Sequence, residues 1–141
     1  MTEERFWLGS YPEGVPTDID ASEYESLVGL MAESFAKYAQ RTAYSFMGHD
    51  IRYEETDVKS QSLAAYFQSL GLQKGDRVAI MMPNVPQYPV AVAAILRAGL
   101  VVVNVNPLYT PRELGFTIWF SYYKRSPNRT RLSYLCWYVR L

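Results

Sequence analysis

Cysteine and histidine are almost missing from this chain: Cys136 and His49 are the only examples among 141 residues. A single cysteine excludes an internal disulfide and any cysteine-rich zinc site. A single histidine beside Asp50 lacks the nucleophile and orienting carboxylate that a catalytic base requires. His49 is therefore expected to be a solvated residue of a Gly48-His49-Asp50 turn, and Cys136 an apolar filler. Glycine-rich phosphate loops are missing as well. Neither GxGxxG nor the Walker pattern GxxxxGKS/T occurs, which argues against Rossmann oxidoreductases and P-loop NTPases. The longest apolar run, around residues 89–103, is interrupted by Arg97 and falls short of the roughly 18 residues that point to a membrane span. Met1-Thr2-Glu3-Glu4-Arg5 is acidic and lacks the basic start and apolar run of a secretory signal, so the expected location is cytoplasmic. In that setting the Asn128-Arg129-Thr130 triplet has no glycosylation role.

What is present is globular in composition. Hydrophobic residues make up 49% and charged residues 20%, values that disfavour a disordered or coiled-coil chain. The net charge is zero, yet it averages two unlike parts. Residues 115–141 carry Lys124, Arg125, Arg129, Arg131 and Arg140 and no acid, a net of +5. That leaves nine basic residues to set against all fourteen acids in residues 1–114, a net of −5. Aromatics are concentrated in the same basic segment. The chain changes character near Leu114.

Along the chain, Pro12 and Pro16 disfavour helix and predict an extended aromatic arm over residues 1–22. Ser22 with Glu25 three residues on reads as a capping box for a helix from about Glu23 to Gln40, its face formed by Leu27, Leu30, Met31, Phe35 and Tyr38. Ala43–Met47 and Ile51–Tyr53 predict a β-hairpin. Thr56 is expected to cap a second helix whose apolar face is Val58, Leu63, Tyr66, Phe67 and Leu70, with Gly71 as its stop. Arg77–Met82 reads as a buried strand, residues 88–98 as a helix ending at Gly99, and Leu100–Val105 as a strand covered on both faces. Strand, helix and strand at this spacing predict a βαβ unit over residues 77–105, so the fold class is α/β. The acids Glu23, Glu25, Glu54, Glu55 and Asp57 cluster near helix starts, where they complement the dipole rather than bind metal.

Several segments resemble the N-terminal part of the acyl-adenylate-forming, AMP-binding superfamily, specifically its bacterial long-chain fatty acid–CoA ligases. Trp7-Leu8 with Tyr11-Pro12 and Val15-Pro16 resembles that subgroup's N-terminal arm. Ile51-Arg52-Tyr53-Glu54-Glu55 resembles the early T-Y-x-E-L element, from which Arg52 and Thr56 depart. Lys74-Gly75-Asp76-Arg77-Val78 through Pro83-Asn84, and Arg97-Ala98-Gly99 through Asn106-Pro107-Leu108-Tyr109-Thr110-Pro111-Arg112-Glu113-Leu114, are similar to two core segments. The resemblance covers about residues 5–114. It implies a partial N-terminal subdomain of the adenylate-forming fold and a reaction in which ATP and a long-chain fatty acid give an acyl-adenylate and pyrophosphate. Coenzyme A then displaces AMP. The implied cofactors are ATP, Mg²⁺ and CoA. The groups this chemistry requires are a Ser/Thr/Gly-rich phosphate loop, a ribose-binding acid and a C-terminal-domain lysine. All three lie downstream in the family, so no catalytic, cofactor-binding or metal-binding residue is carried over. No cofactor is expected for this stretch alone.

One truncated domain is expected, residues 1–114 as the N-terminal part of an AMP-binding, acyl-CoA ligase domain, followed by residues 115–141, an aberrant basic aromatic tail that is not a domain and arises from a change of reading frame and an early stop. The alternative is a small non-catalytic protein whose basic aromatic tail meets a membrane surface or nucleic acid. Peripheral association with the inner face of the cell membrane is admitted, nucleic acid is not expected, and truncation is expected to leave the chain inactive alone.

Overall fold

The computed structural model describes residues 5–20, 22–123 and 132–136. A 3-10 turn at Phe6–Ser10 opens the arm, and Phe6 packs edge-on against Trp7 while staying largely exposed. Helix α1 spans Leu27–Lys37, shorter at both ends than the spacing predicts. Its cap is Ser26, whose Oγ accepts from the Gly29 N–H at 3.1 Å. Ser22 is already committed: its N–H and hydroxyl both donate to Asp20 Oδ1, a local Asx turn that removes it from capping.

Strands β1 (Thr42–Phe46) and β2 (His49–Arg52) form the hairpin, with Phe46 opposite His49. The turn is Met47-Gly48, both at positive φ, as a two-residue type I′ connection requires. His49 and Asp50 are thus exposed strand residues, which corrects the expectation that they form the turn.

Helix α2 (Tyr53–Ser69) begins three residues before the expected cap. Its first amides are satisfied by backbone: Tyr53 N–H donates to the Arg41 carbonyl and Glu54 N–H to that of Ala39, each at 3.1 Å. Thr56 lies inside the first turn, fully buried, and donates to the Arg52 carbonyl. The buried face also differs from the expected one. It consists of Thr56, Ser60, Ala64 and Phe67, whereas Val58, Tyr66 and Leu70 are about half-exposed or more. Small side chains let α2 approach its neighbour closely, and the Ser60 hydroxyl is satisfied by the Asp57 carbonyl at 2.8 Å, so its burial leaves no bare polar atom.

That neighbour is α3 (Gln87–Arg97), which follows strand β3 (Arg77–Met81) and precedes strand β4 (Val101–Val105). Strands β3 and β4 pair in parallel, Arg77 opposite Val101 and Met81 opposite Val105, so the expected βαβ unit is present. Pro89 sits in the first turn of α3, where its missing N–H leaves no bond unmade. Ala91, Ala94 and Ile95 from α3, Ala64 and Phe67 from α2, and Val78, Ile80 and Met82 make the core. Backbone stitches lock the entry to both strands: Gly75 N–H donates to the Gly99 carbonyl and Val101 N–H to the Asp76 carbonyl. Gly99 adopts φ +74°, a conformation in which a side chain is strained.

Strand β5 (Leu132–Cys136) pairs in parallel with the other edge of β3, giving the order β4-β3-β5 and placing Cys136 opposite Met81. Helix α4 (Pro111–Tyr123) runs through Leu114, where the composition changes. Strand β4 is not covered on both faces as expected. Among the described residues it is an edge, with Val101 and Asn104 exposed and only Val105 buried. No helix of the described residues is long and apolar enough to cross a membrane.

Candidate functional site

In open parallel sheets, ligands bind beyond the carboxyl ends of the strands. Here that rim is built from residues 82–86 after β3 and 106–110 after β4. Several of its polar groups bond locally. Pro83 and Pro86 carry no N–H, and the Val85 N–H donates back to the Pro83 carbonyl at 2.9 Å. Tyr88 Oη donates to Asn104 Oδ1 at 2.7 Å, tying the start of α3 to the end of β4. Asn106 Oδ1 accepts from the Leu108 N–H at 2.9 Å. Thr110 and Glu113 form a capping box at the start of α4: the Thr110 N–H and hydroxyl donate to Glu113 Oε2 at 2.8 and 2.7 Å, and the Glu113 N–H returns a longer bond to Thr110 Oγ1. These bonds hold the Glu113 carboxyl below its usual pKa. Phosphate cradles need converging amides or cations, and the bonds described on this rim turn inward to neighbouring residues. A cleft of about 580 Å³ beside it, lined by Tyr109, Arg112, Glu113 and Phe116 among others, opens on the outer side of α4.

The residues singled out in the sequence do not converge. His49 is exposed on β2. Its neighbour Asp50 accepts from the Ser45 and Thr42 hydroxyls. Glu54 and Glu55 occupy the first turn of α2, as their dipole role requires, whereas Glu23 and Glu25 precede α1 and lie outside its first turn. Asp57 has a different partner: it pairs with Arg97 across α2 and α3, both side chains mostly buried. The Arg97 guanidinium also lies 5.4 Å from the Phe35 ring centroid, so one cation joins three helices. Among the described residues no three His, Cys, Asp or Glu side chains gather as a metal site would need.

A further open feature is mainly apolar. A furrow of about 390 Å³ runs between α1 (Leu30, Met31, Phe35), β1 (Tyr44), the start of α2 (Tyr53) and α3 (Tyr88, Val92). A second depression of about 240 Å³ continues past Tyr44 and Tyr88 along Phe46, Val85 and Pro86. Tyr44 and Phe46, two apart on one strand, face the same side. Partial burial, reinforced by Tyr53, raises the Tyr44 hydroxyl pKa. The furrow can take up apolar surface.

Comparison with known proteins follows this geometry. Residues 31–121 match the family described as AMP-binding enzyme. The chain is 54% identical over 112 residues to the long-chain-fatty-acid–CoA ligase of Escherichia coli O157:H7, an alignment covering 79% of this chain and 20% of that protein. It is 37% identical over 118 residues to the ligase of the same name from Bacillus subtilis strain 168, covering 84% and 21%. Among solved structures, the N-terminal subdomain of Klebsiella oxytoca NpsA superimposes with a TM-score of 0.67 at 28% identity, over 70% of this chain and 26% of that one. The chain thus spans about a fifth of the length of the curated relatives it matches.

Proposed function

Since the chain belongs to the AMP-binding enzyme family, we propose that it is scaffold from the amino-terminal part of a long-chain fatty acid–CoA ligase and is inactive alone. The whole enzyme joins a long-chain fatty acid to coenzyme A at the expense of ATP, with Mg²⁺ and an acyl-adenylate intermediate. Supporting this reading, above all, is the degree of identity to the bacterial ligases over this one stretch. The local bonding on the rim beyond β3 and β4 agrees with it, because gripping a triphosphate and neutralising charge at its α-phosphorus require donors, several of which this rim uses internally. Residues 1–114 are the scaffold and residues 115–141 a tail of different origin. Reading the DNA beyond the Leu114 codon in the other frames tests that division: a continuation into a Thr/Ser/Gly-rich loop establishes it, and none refutes it.

The activity test is direct. The whole chain is incubated with ATP, Mg²⁺, oleate and coenzyme A, and the expected result is no acyl-CoA above background. Turnover overturns the reading. The reading places the chain in the cytoplasm, and the +5 charge of residues 115–141 favours a subsidiary role at an anionic membrane surface. In co-sedimentation with phosphatidylglycerol vesicles, a Lys124→Gln, Arg125→Gln, Arg129→Gln variant should bind less than the parent. Equal binding eliminates the role.

A further inference from the structure

Among the described residues, β3 is the only strand with a partner on both sides, and its second partner, β5, comes from the segment where composition changes. Strand β5 meets β3 in five consecutive parallel pairs, as many as β4 makes on the other side. Residues 77–80 are all buried. Without β5, that side of β3 is a row of bare N–H and C=O groups, which accepts strands from other chains. The described residues leave a second such row on the outer side of β4, where Val101 is exposed. These two rows suit each other: β3 already pairs with β4 in parallel within one copy, and shifting a second copy along the sheet repeats that pairing on the opposite side of β3. A contact between unlike edges does not close on itself, so copies add head to tail until one edge is covered.

We propose that β5 is an autoinhibitory strand: it occupies the edge of β3 and so keeps that edge from pairing with β4 of a second copy of this chain. Main-chain hydrogen bonds carry the role, so it belongs to the position of residues 132–136 on the sheet rather than to their side chains. The inference goes beyond the scaffold reading and does not depend on it. Acyl-CoA formed by the chain overturns that reading and leaves this one standing.

The test compares whole-chain variants by light scattering at matched concentration. Tyr134→Pro, Leu135→Pro removes two adjacent amides, one of which faces β3 because amides alternate between the two sides of a strand. This variant should aggregate at least about tenfold faster than the parent. Tyr134→Val, Leu135→Val changes the same side chains, keeps both amides, and should aggregate at the parent's rate. Adding Val101→Lys to the proline variant should cancel the gain, because a charge on the β4 edge bars it from the neighbouring copy. The proposal is overturned if the proline variant aggregates no faster than the parent, or if the valine variant matches the proline variant. A gain that survives Val101→Lys also overturns it; aggregation caused by unfolding is of this kind, so a proline variant that does not fold counts against the proposal. Amide exchange in the parent supplies a check that needs no variant. Residues 78–81 should all exchange slowly, and fast exchange at alternate positions would show that β5 does not cover β3.

Discussion

Strands β3 and β4 lie side by side in one parallel sheet, and their sequences rank them in the wrong order. Val101-Val102-Val103-Asn104-Val105 reads as the more deeply buried strand. Arg77-Val78-Ala79-Ile80-Met81 opens on a charge and ends half-buried. In the structure β3 is the buried one, Arg77 included, and β4 is largely open. The difference lies in neighbours. Strand β3 has a strand on each side and Phe67, Ile95 and Ala94 in the core cluster it shares, whereas among the described residues β4 has a partner on one side only. Apolarity of a strand records how much cover it is suited to, and position in the sheet decides how much it receives.

The strongest test of that contrast truncates one residue on each strand. Ile80→Ala should lower unfolding stability by about 2–5 kcal/mol and Val101→Ala by less than about 1 kcal/mol, measured by urea denaturation. Equal losses would mean that β4 is as well covered as β3. Next in size is the polar pin beside the core. Arg97→Ala removes the ion pair and leaves Asp57 with only the Gln61 amide as a side-chain donor among the described residues, and should cost about 1–3 kcal/mol, a range reduced because both side chains keep some contact with water. If Asp57→Ala, Arg97→Ala is no worse than Arg97→Ala alone, the loss belongs to the stranded carboxylate; if the double variant is clearly worse, Asp57 has a further role. A smaller change in stability, with a larger one in solubility, is expected at the open edge. Val101→Lys should leave the melting temperature within a few degrees yet slow concentration-dependent aggregation, followed by light scattering, because a charge on an exposed edge blocks strand addition. Unchanged aggregation would locate the sticky surface elsewhere.

The smallest effect concerns pH at the start of α4. Glu113 has its folded pKa depressed by the Thr110 bonds, so its contribution is present above the ordinary value of 4.5 and disappears as pH falls through the lower folded value. An NMR titration should place the Glu113 midpoint below 4.5, and Thr110→Ala, which removes the hydroxyl bond and keeps the backbone one, should raise it part of the way back. A midpoint already at 4.5 in the parent would show that the capping box does not persist in solution.

The βαβ unit was legible because its signals are local: Gly75 and Gly99 as turns, Pro86 and Pro89 at a helix start, and two β-branched runs at the right spacing. The start and face of α2 were not. Its first amides are closed by the carbonyls of Ala39 and Arg41, which carry no side-chain signature. Its buried stripe of Thr56, Ser60 and Ala64 is invisible to any reading that looks for large apolar residues. The furrow escaped for a related reason. Leu30, Tyr44, Tyr53 and Tyr88 come from four elements, and no spacing in one dimension brings them together.

The stitches from Gly75 to Gly99 and from Asp76 to Val101 join positions within one βαβ unit and need nothing beyond Val105. A growing polypeptide can therefore fasten this clasp while its last stretch is still being synthesised. Whatever emerges afterwards meets a finished β3 margin whose amides and carbonyls select by backbone geometry and are indifferent to side-chain identity, which is how a terminus of unusual composition finds a seat as β5.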